Sequence, residues 1–255
     1  SDNLWVTTFF NLLPYRGSRY FFGAKWVNRI NQYFIKNKLK AHIKTLKLHD
    51  PILFIGGAHA YPLLELFKKS KKIYHCSDDY TLVPSFPATF AEFEISLIKD
   101  CDLIITTADE LKKSKQNYNS NTVSIPNGAD INHFLKTQDK NTNIPKDIKN
   151  NKKPIVGYIG SIFRWLDLEW IEFAAKTLPD YNFIFIGPIS IDISRLKNRK
   201  NIQFLGPKPY SDLPGFLKKF DVAVIPFIID GVTLKASPIK FYEYLASGVP
   251  IVSRE

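Results

Sequence analysis

Residues 237–252 read Ser237-Pro238-Ile239-Lys240-Phe241-Tyr242-Glu243-Tyr244-Leu245-Ala246-Ser247-Gly248-Val249-Pro250-Ile251-Val252, a helix followed at once by a short strand. Ser237 suits the N-cap, Pro238 the first helical position, and Gly248 the left-handed residue past the last turn, after which Pro250 opens a β-branched run. A helix start presents free backbone N–H groups and about half a positive charge. Lys240 adds a full charge in the first turn, and the combination suits a phosphate or diphosphate. Glu243 lies three residues on, over the same face, where it is placed to accept hydrogen bonds from sugar hydroxyls as the acidic residue of dinucleotide folds does for a ribose. The same spacing also fits an ordinary capped helix whose Lys and Glu form a solvated pair.

Outward from this stretch the chain alternates strand and helix signals. In its own half, 155–159, 183–186, 202–205 and 222–225 read as strands, and 168–178 and 213–219 as helices. In the first half, 4–10, 51–55, 73–77, 103–107 and 123–125 read as strands, with helices over 62–69, around Phe90 to Ile98, and over 109–116. Such alternation predicts an α/β fold of parallel sheets with helices on both faces. Between Asn127 and Lys153 the chain turns polar, rich in Asn, Lys and Asp, with no apolar periodicity, and reads as an interdomain linker. The expected organisation is a first domain over 1–126, a linker over 127–153 and a second domain over 154–255. Three strands of the second half run into Gly160, Gly187 and Gly206, which brings bare backbone to the carboxyl edge of a sheet, where such folds bind ligands.

Composition sets independent bounds. With 255 residues, 45% of them hydrophobic, the chain is long enough to bury one or two sizeable cores. The longest apolar run, Val222 to Ile229, is interrupted by Pro226 and falls well short of the ~20 residues that span a bilayer. Two cysteines, Cys76 and Cys101, are too few for a disulfide framework and read as buried thiols in a reducing, cytoplasmic compartment. No methionine starts the chain, and no signal-peptide pattern follows Ser1.

The net charge of +11 calls for an anionic partner. From Tyr15 to His49 there are nine basic residues (Arg16, Arg19, Lys25, Arg29, Lys36, Lys38, Lys40, Lys44 and Lys47) and no acidic one. Trp26, Ile30, Tyr33, Phe34, Leu39, Ile43 and Leu46 recur among them at near-helical spacing, so residues 15–49 read as a long amphipathic helix with a basic outer face. That face is either a solvated surface or a docking surface for an anionic membrane, which would place the protein peripherally at the inner face of the plasma membrane. No nucleic-acid-binding signature accompanies the charge.

The segment P-I-K-F-Y-E-Y-L-A-S-G-V-P-I-V-S closely resembles the nucleotide-sugar-binding segment of GT-B glycosyltransferases of the large retaining GT4-like family. I-P-N-G-A-D-I-N-H-F at 125–134 resembles that family's interdomain N-G-V-D segment, V-G-Y-I-G-S at 156–161 its second-domain Gly loop, and N-I-Q-F-L-G-P-K-P-Y-S-D-L-P at 201–214 its base-recognition loop. The resemblance implies two Rossmann-like, doubly wound domains facing a cleft, with further elements ahead of Ser1 and after Glu255. It implies a donor site in which Gly160, Ser161 and Gly187 meet the diphosphate, Phe204, Gly206, Lys208 and Tyr210 frame the base, and Ser237, Ile239, Lys240 and Glu243 form the helix end. The sequence departs from the family twice. Counting back from Glu243, Lys235 stands where the family carries a second glutamate, and Ser161 and Leu166 stand where it carries Arg and Lys. Diphosphate charge then falls to Arg164 and Lys240, since an unpaired buried anion costs several kcal/mol.

On the acceptor side, His59 follows a Gly-Gly strand end and Asp78 and Asp79 follow the next, which makes all three catalytic candidates; a loop histidine and a helix cap are their bland alternatives. Asp100-Cys101-Asp102 matches a metal-binding D-x-D but sits at a helix-to-strand junction that caps explain, so no metal and no cofactor beyond the nucleotide sugar is expected, the helix end and cations stabilising charge instead. The function the resemblance implies is transfer of a sugar from a nucleotide diphosphate onto a bacterial cell-surface glycan or lipid-linked acceptor. Two alternatives stay open: a sugar-nucleotide epimerase of the same fold, and a degenerate carbohydrate- or membrane-binding scaffold.

Overall fold

A computed structural model describes residues 4–8, 25–79 and 88–254. The chain divides into two compact units, 1–126 and 127–255.

In the first unit, α1 (Lys25–Thr45) leads to β1 (Leu53–Ile55), a 3-10 stretch (Ala58–Phe67), β2 (Lys72–Cys76), α2 (Ala88–Asp100), β3 (Leu103–Thr106), α3 (Asp109–Lys115) and β4 (Thr122–Ser124). The strands form one parallel sheet in the order β1-β2-β3-β4. Its core gathers Ile55, Leu64, Tyr74, Phe90, Leu97, Ile98, Ile104 and Leu111. Cys76 and Cys101 are free and buried, and burial pushes both thiols up to about 12.

Three expectations change here. Residues 4–8, the described part of the strand expected over 4–10, join no sheet; Thr7 instead meets His42 of α1 through its hydroxyl at 3.2 Å. The helix expected over 62–69 is the 3-10 stretch, with Pro62 inside it, a residue that has no N–H for the helical ladder. The basic helix is confirmed over 25–45, but its cations do not share one face: Lys36 turns inward to pair with Glu65 at 2.8 Å. The outward arc carries Lys38, Lys40 and Lys44 together with Tyr33, 64% exposed, and Phe34, 48% exposed. Arg16 and Arg19 lie outside the described residues.

In the second unit, α4 (Ile131–Leu135) and α5 (Lys146–Lys149) precede β5 (Ile155–Ile159), α6 (Leu168–Thr177), β6 (Asn182–Ile186), α7 (Ser194–Lys197), β7 (Ile202–Gly206), α8 (Leu213–Leu217), β8 (Val222–Ile225), α9 (Ile239–Ser247) and β9 (Ile251–Ser253). The parallel sheet runs β7-β6-β5-β8-β9. The chain winds outward from β5 in one direction and then in the other, so the carboxyl end of β5 is the switch point at which such sheets bind ligands. β5 is buried at every residue. Gly157 lets Phe220 lie flat against it, since a Cβ there would come within 2.0 Å of the ring. Ile155 and Ile159 face a core with Phe134, Ile148, Phe216 and Tyr244, while Val156 and Tyr158 face a second with Ile171, Phe183, Phe185 and Leu196.

The stretch 127–153, expected to be a linker, is folded into this unit. Phe134 and Ile148 are each 1% exposed within the first of its two cores. Asn127 also donates to the Ser237 carbonyl at 2.6 Å.

Candidate donor site

The site is built on α9 and the three glycine-terminated strands of the second unit. Gly248 adopts φ 76°, the left-handed C-terminal position its sequence predicts. At the other end the N-cap is Pro238 rather than Ser237, and the helix starts one residue later than expected. Ser237 spends its hydroxyl on Tyr242, 3.0 Å away, so no side chain caps the first N–H groups. The N–H groups of Ile239 and Lys240 have no intrahelical acceptor by geometry. Tyr244 fixes the helix beneath the end of β5: its hydroxyl accepts from the Ile159 N–H at 2.8 Å and donates to the Ile159 carbonyl at 3.3 Å.

Above that anchor the strand ends crowd together. The Gly160 N–H donates to the Ile186 carbonyl at 2.7 Å, and the Gly187 N–H to the Gly206 carbonyl at 3.0 Å. A Cβ on Gly187 would come within 2.0 Å of the Gly160 carbonyl oxygen, so backbone packs on backbone there. A Cβ on Gly160 would lie 1.8 Å from Lys240 Cε, which places the Lys240 stem directly across the end of β5. Ser161 is half-buried beside it, its carbonyl accepting from the Tyr158 hydroxyl at 3.1 Å.

Lys240 and Glu243 carry the electrostatics. Burial lowers the Lys240 pKa, opposed by the nearby Glu243 carboxylate. Burial raises the Glu243 pKa, opposed by Lys240 and then by His133. Both are half-buried, and among the described residues neither forms a hydrogen bond or a contact ion pair. Two charged groups held at a desolvation cost without direct partners are suited to an anion at Lys240 and to hydroxyl donors at Glu243.

The other expected donor residues divide. Tyr210 is 50% exposed and lies flat on His133, with ring centroids 4.2 Å apart and an interplanar angle of 13°. Gly206 adopts φ 68° with open space around it. Phe204 stacks on Phe185 at 5.2 Å within the sheet's packing. Lys208 is drawn away by Asp147 of α5, at 3.1 Å. Arg164 is exposed, and its charge helps lower the Asp230 carboxyl, whose main stabilisers are the Thr233 and Val232 N–H groups. Leu166, where the family carries a cation, is core, 4% exposed.

Sequence reasoning missed Asn127, Asp130 and His133 as site residues. Asp130 caps α4 by accepting from the His133 N–H at 3.0 Å, and His133 Nε2 lies 2.9 Å from the Tyr210 carbonyl. The signal was the N-G-A-D-I-N-H-F run itself, read as a connector because no apolar period marks it.

The acceptor-side candidates lie in the first unit. The His59 ring covers Gly57, and its pKa is lowered by burial although the residue as a whole remains exposed. Gln32 of α1 donates to the His59 carbonyl at 3.1 Å. Asp78 is half-buried, its carbonyl facing Cys76 Sγ at 3.5 Å. Asp79 is 4% exposed and belongs to a buried charge cluster: Lys115 Nζ lies 3.4 Å from it and 2.9 Å from Glu94, and the Tyr74 hydroxyl donates to Glu94 at 2.9 Å. Of the D-x-D pair, Asp100 accepts from Tyr61 at 3.0 Å, while Asp102 pairs with Lys71 and caps the Lys72 N–H, both at 2.9 Å.

Two parallel α/β units, the second with a glycine-edged switch point, define the GT-B class. Sucrose-phosphate synthase (tll1590) from Thermosynechococcus elongatus superposes with a TM-score of 0.65 at 16% identity, over 88% of this chain and 60% of that one. Anabaena Alr3699/HepE, solved with UDP and glucose, gives 0.66 at 18% identity, over 96% and 66%. TuaH of Bacillus subtilis (strain 168), named as a teichuronic acid biosynthesis glycosyltransferase, is 26% identical over 210 residues. That alignment takes in 75% of this chain and 52% of TuaH, so the chain spans about half the length of its curated relative. Residues 139–255, all within the second unit, match the family model described as Glycosyl transferases group 1.

Proposed function

We propose that the protein transfers a sugar from a nucleotide diphosphate to a cell-envelope glycan or lipid-linked acceptor, with retention of anomeric configuration. The observation that carries this reading is Lys240, a half-buried ammonium laid across the glycine end of β5 with no direct partner among the described residues. A diphosphate would meet that ammonium, the N–H groups that open α9 and the bare backbone of Gly160 and Gly187. In the reaction the bond from the sugar's anomeric carbon to the β-phosphate oxygen breaks and a bond from that carbon to an acceptor oxygen forms. The acceptor proton is lost, and the diphosphate leaves with an added negative charge that Lys240 and the helix end stabilise without a metal. Glu243 would hold sugar hydroxyls, and Arg164 would supply further positive charge.

Support also comes from the likeness to HepE, which was solved with UDP-glucose, and to TuaH, whose name ties it to an envelope polysaccharide. Among the described residues no helix is long and apolar enough to cross a membrane. The outward cations and aromatics of α1 are the surface proposed to reach a lipid-linked acceptor at the inner face of the membrane.

The test has two arms. Calorimetric titration with UDP-, GDP-, ADP-, CDP- and dTDP-sugars should find a donor whose affinity falls more than tenfold in Lys240→Met and Glu243→Ala and is unchanged by EDTA. With that donor, nucleotide release should depend on a glycan or lipid-linked acceptor. Unchanged affinity in both variants would remove the site, while acceptor-free inversion at C2 would make the protein an epimerase.

A further inference from the structure

His133 is 8% exposed, yet its ring is not lost in aliphatic packing. One face lies flat on Tyr210 at 4.2 Å, and the edge of Phe134 completes the corner, at 5.8 Å from the same tyrosine ring. His133 Nε2 sits 2.9 Å from the Tyr210 carbonyl. A carbonyl only accepts, so Nε2 carries the proton, which fixes the tautomer. The histidine therefore holds Tyr210 twice, by its ring and by its backbone. Asp130 in turn fixes the turn that presents His133, and Asn127 of the same run ties it to Ser237, next to the start of α9. The 127–134 segment thus joins the loop after β7 to the helix end that carries Lys240 and Glu243.

Tyr210 is half-exposed although one of its faces is covered, so the other is open to a planar group. We infer that His133 is a positioning residue for the donor's base: it backs Tyr210 as a rigid plate against which the nucleobase stacks, at a set distance from the diphosphate cradle at Lys240. The inference rests on the nucleotide-sugar reading above. Pre-setting the plate matters because a free tyrosine would lose rotamer freedom on each binding event, whereas a ring already clamped loses little.

The experiment separates base from diphosphate. UDP, GDP, ADP, CDP and dTDP are titrated into the full chain, and the tightest binder is then displaced with inorganic pyrophosphate. His133→Phe keeps the stacked ring and loses the N–H; His133→Gln keeps a donor at similar reach and loses the ring. Each should weaken the nucleoside diphosphate about tenfold, the order of a lost base stack, and leave the inhibition constant of pyrophosphate within twofold. Tyr210→Ala, at an exposed position that the fold tolerates, should give the same selective loss, and His133→Phe added to it should give no more. Nucleotide affinity unchanged in both histidine variants, or an equal loss for pyrophosphate, would overturn the positioning role while the donor site stands. Failure of every nucleoside diphosphate to bind the unaltered protein would overturn the nucleotide-sugar reading and this inference with it.

Discussion

Replacing Lys115 by Met tests the buried charge cluster that holds Asp79. Lys115, Glu94 and Asp79 have side chains only 6%, 1% and 5% exposed, and the ammonium bridges the two carboxylates at 2.9 and 3.4 Å. Methionine fills the same volume without the charge, leaving two carboxylates that water cannot reach. Breaking a buried pair from one side costs about 3–5 kcal/mol, since the stranded charge loses its compensation. At roughly 4 °C per kcal/mol for a unit of this size, the first unit's melting midpoint should fall by about 12–20 °C in scanning calorimetry. Adding Glu94→Gln should restore much of the loss, since the Tyr74 hydroxyl can still donate to the amide oxygen. The cluster also has a pH signature. Burial pulls the Lys115 pKa down, but the nearby carboxylates, Glu94 first, outweigh it and leave the pKa raised above 10.5. The folded state therefore holds this proton more tightly than the unfolded chain, and the stability it contributes is full below 10.5 and lost as pH rises through the folded value. Lys115→Met should lack that alkaline loss. A midpoint within 3 °C of the unaltered protein at neutral pH, or a double variant less stable than the single one, would refute the reasoning.

Other consequences can be checked as directly. Burial raises the Glu243 pKa, so its carboxylate costs stability as pH rises from 4.5 through the folded value; Glu243→Gln should be more stable than the parent at pH 7 and equal to it near pH 4 in denaturant titrations, while binding donor more weakly. Gly187→Ala puts a methyl group 2.0 Å from backbone that cannot swing aside, and should cost about 1–3 kcal/mol in urea unfolding as well as donor affinity. Gly160→Ala, whose nearest clash is the flexible Lys240 stem, should cost less stability than Gly187→Ala and show its effect in binding. Lys38, Lys40 and Lys44, at about 1 kcal/mol each, predict that changing all three to Gln lowers the partition constant onto phosphatidylglycerol vesicles roughly a hundredfold, as 1 M salt should also do. Equal partition onto neutral vesicles would remove the membrane surface from the proposal.

The first four strands of the second unit could be read to within a residue because each is a short, largely β-branched or aromatic run that stops at Gly or Pro, as at Ile155–Ile159 and Val222–Ile225. Helix α9 was legible for the same reason, its one-residue offset arising because Pro238 and not Ser237 takes the cap. What stayed hidden depends on long-range pairing. The partners of Lys36, Lys208 and Lys115 lie 29, 61 and 21 residues away (Glu65, Asp147 and Glu94), and no local pattern announces them. The 127–153 stretch was opaque because α4 and α5 have only five and four residues, too few to show a period, while Phe134 and Ile148 sit alone among polar neighbours. His133 was hidden because a single histidine in such a stretch carries no sign that it will stack.

The inclusion of 127–153 in the second unit bears on where this protein tolerates cutting and exchange. A fragment started at Ile155, where the sheet begins, would bare the hydrophobic seats of Phe134 and Ile148 and release the Ser237 carbonyl from Asn127, inviting aggregation before any ligand is tested. A fragment started at Asn127 keeps all three. In chimaeras that trade one donor specificity for another, the seam belongs after Pro126, so that the run bearing Asn127, Asp130 and His133 travels with the helix it serves.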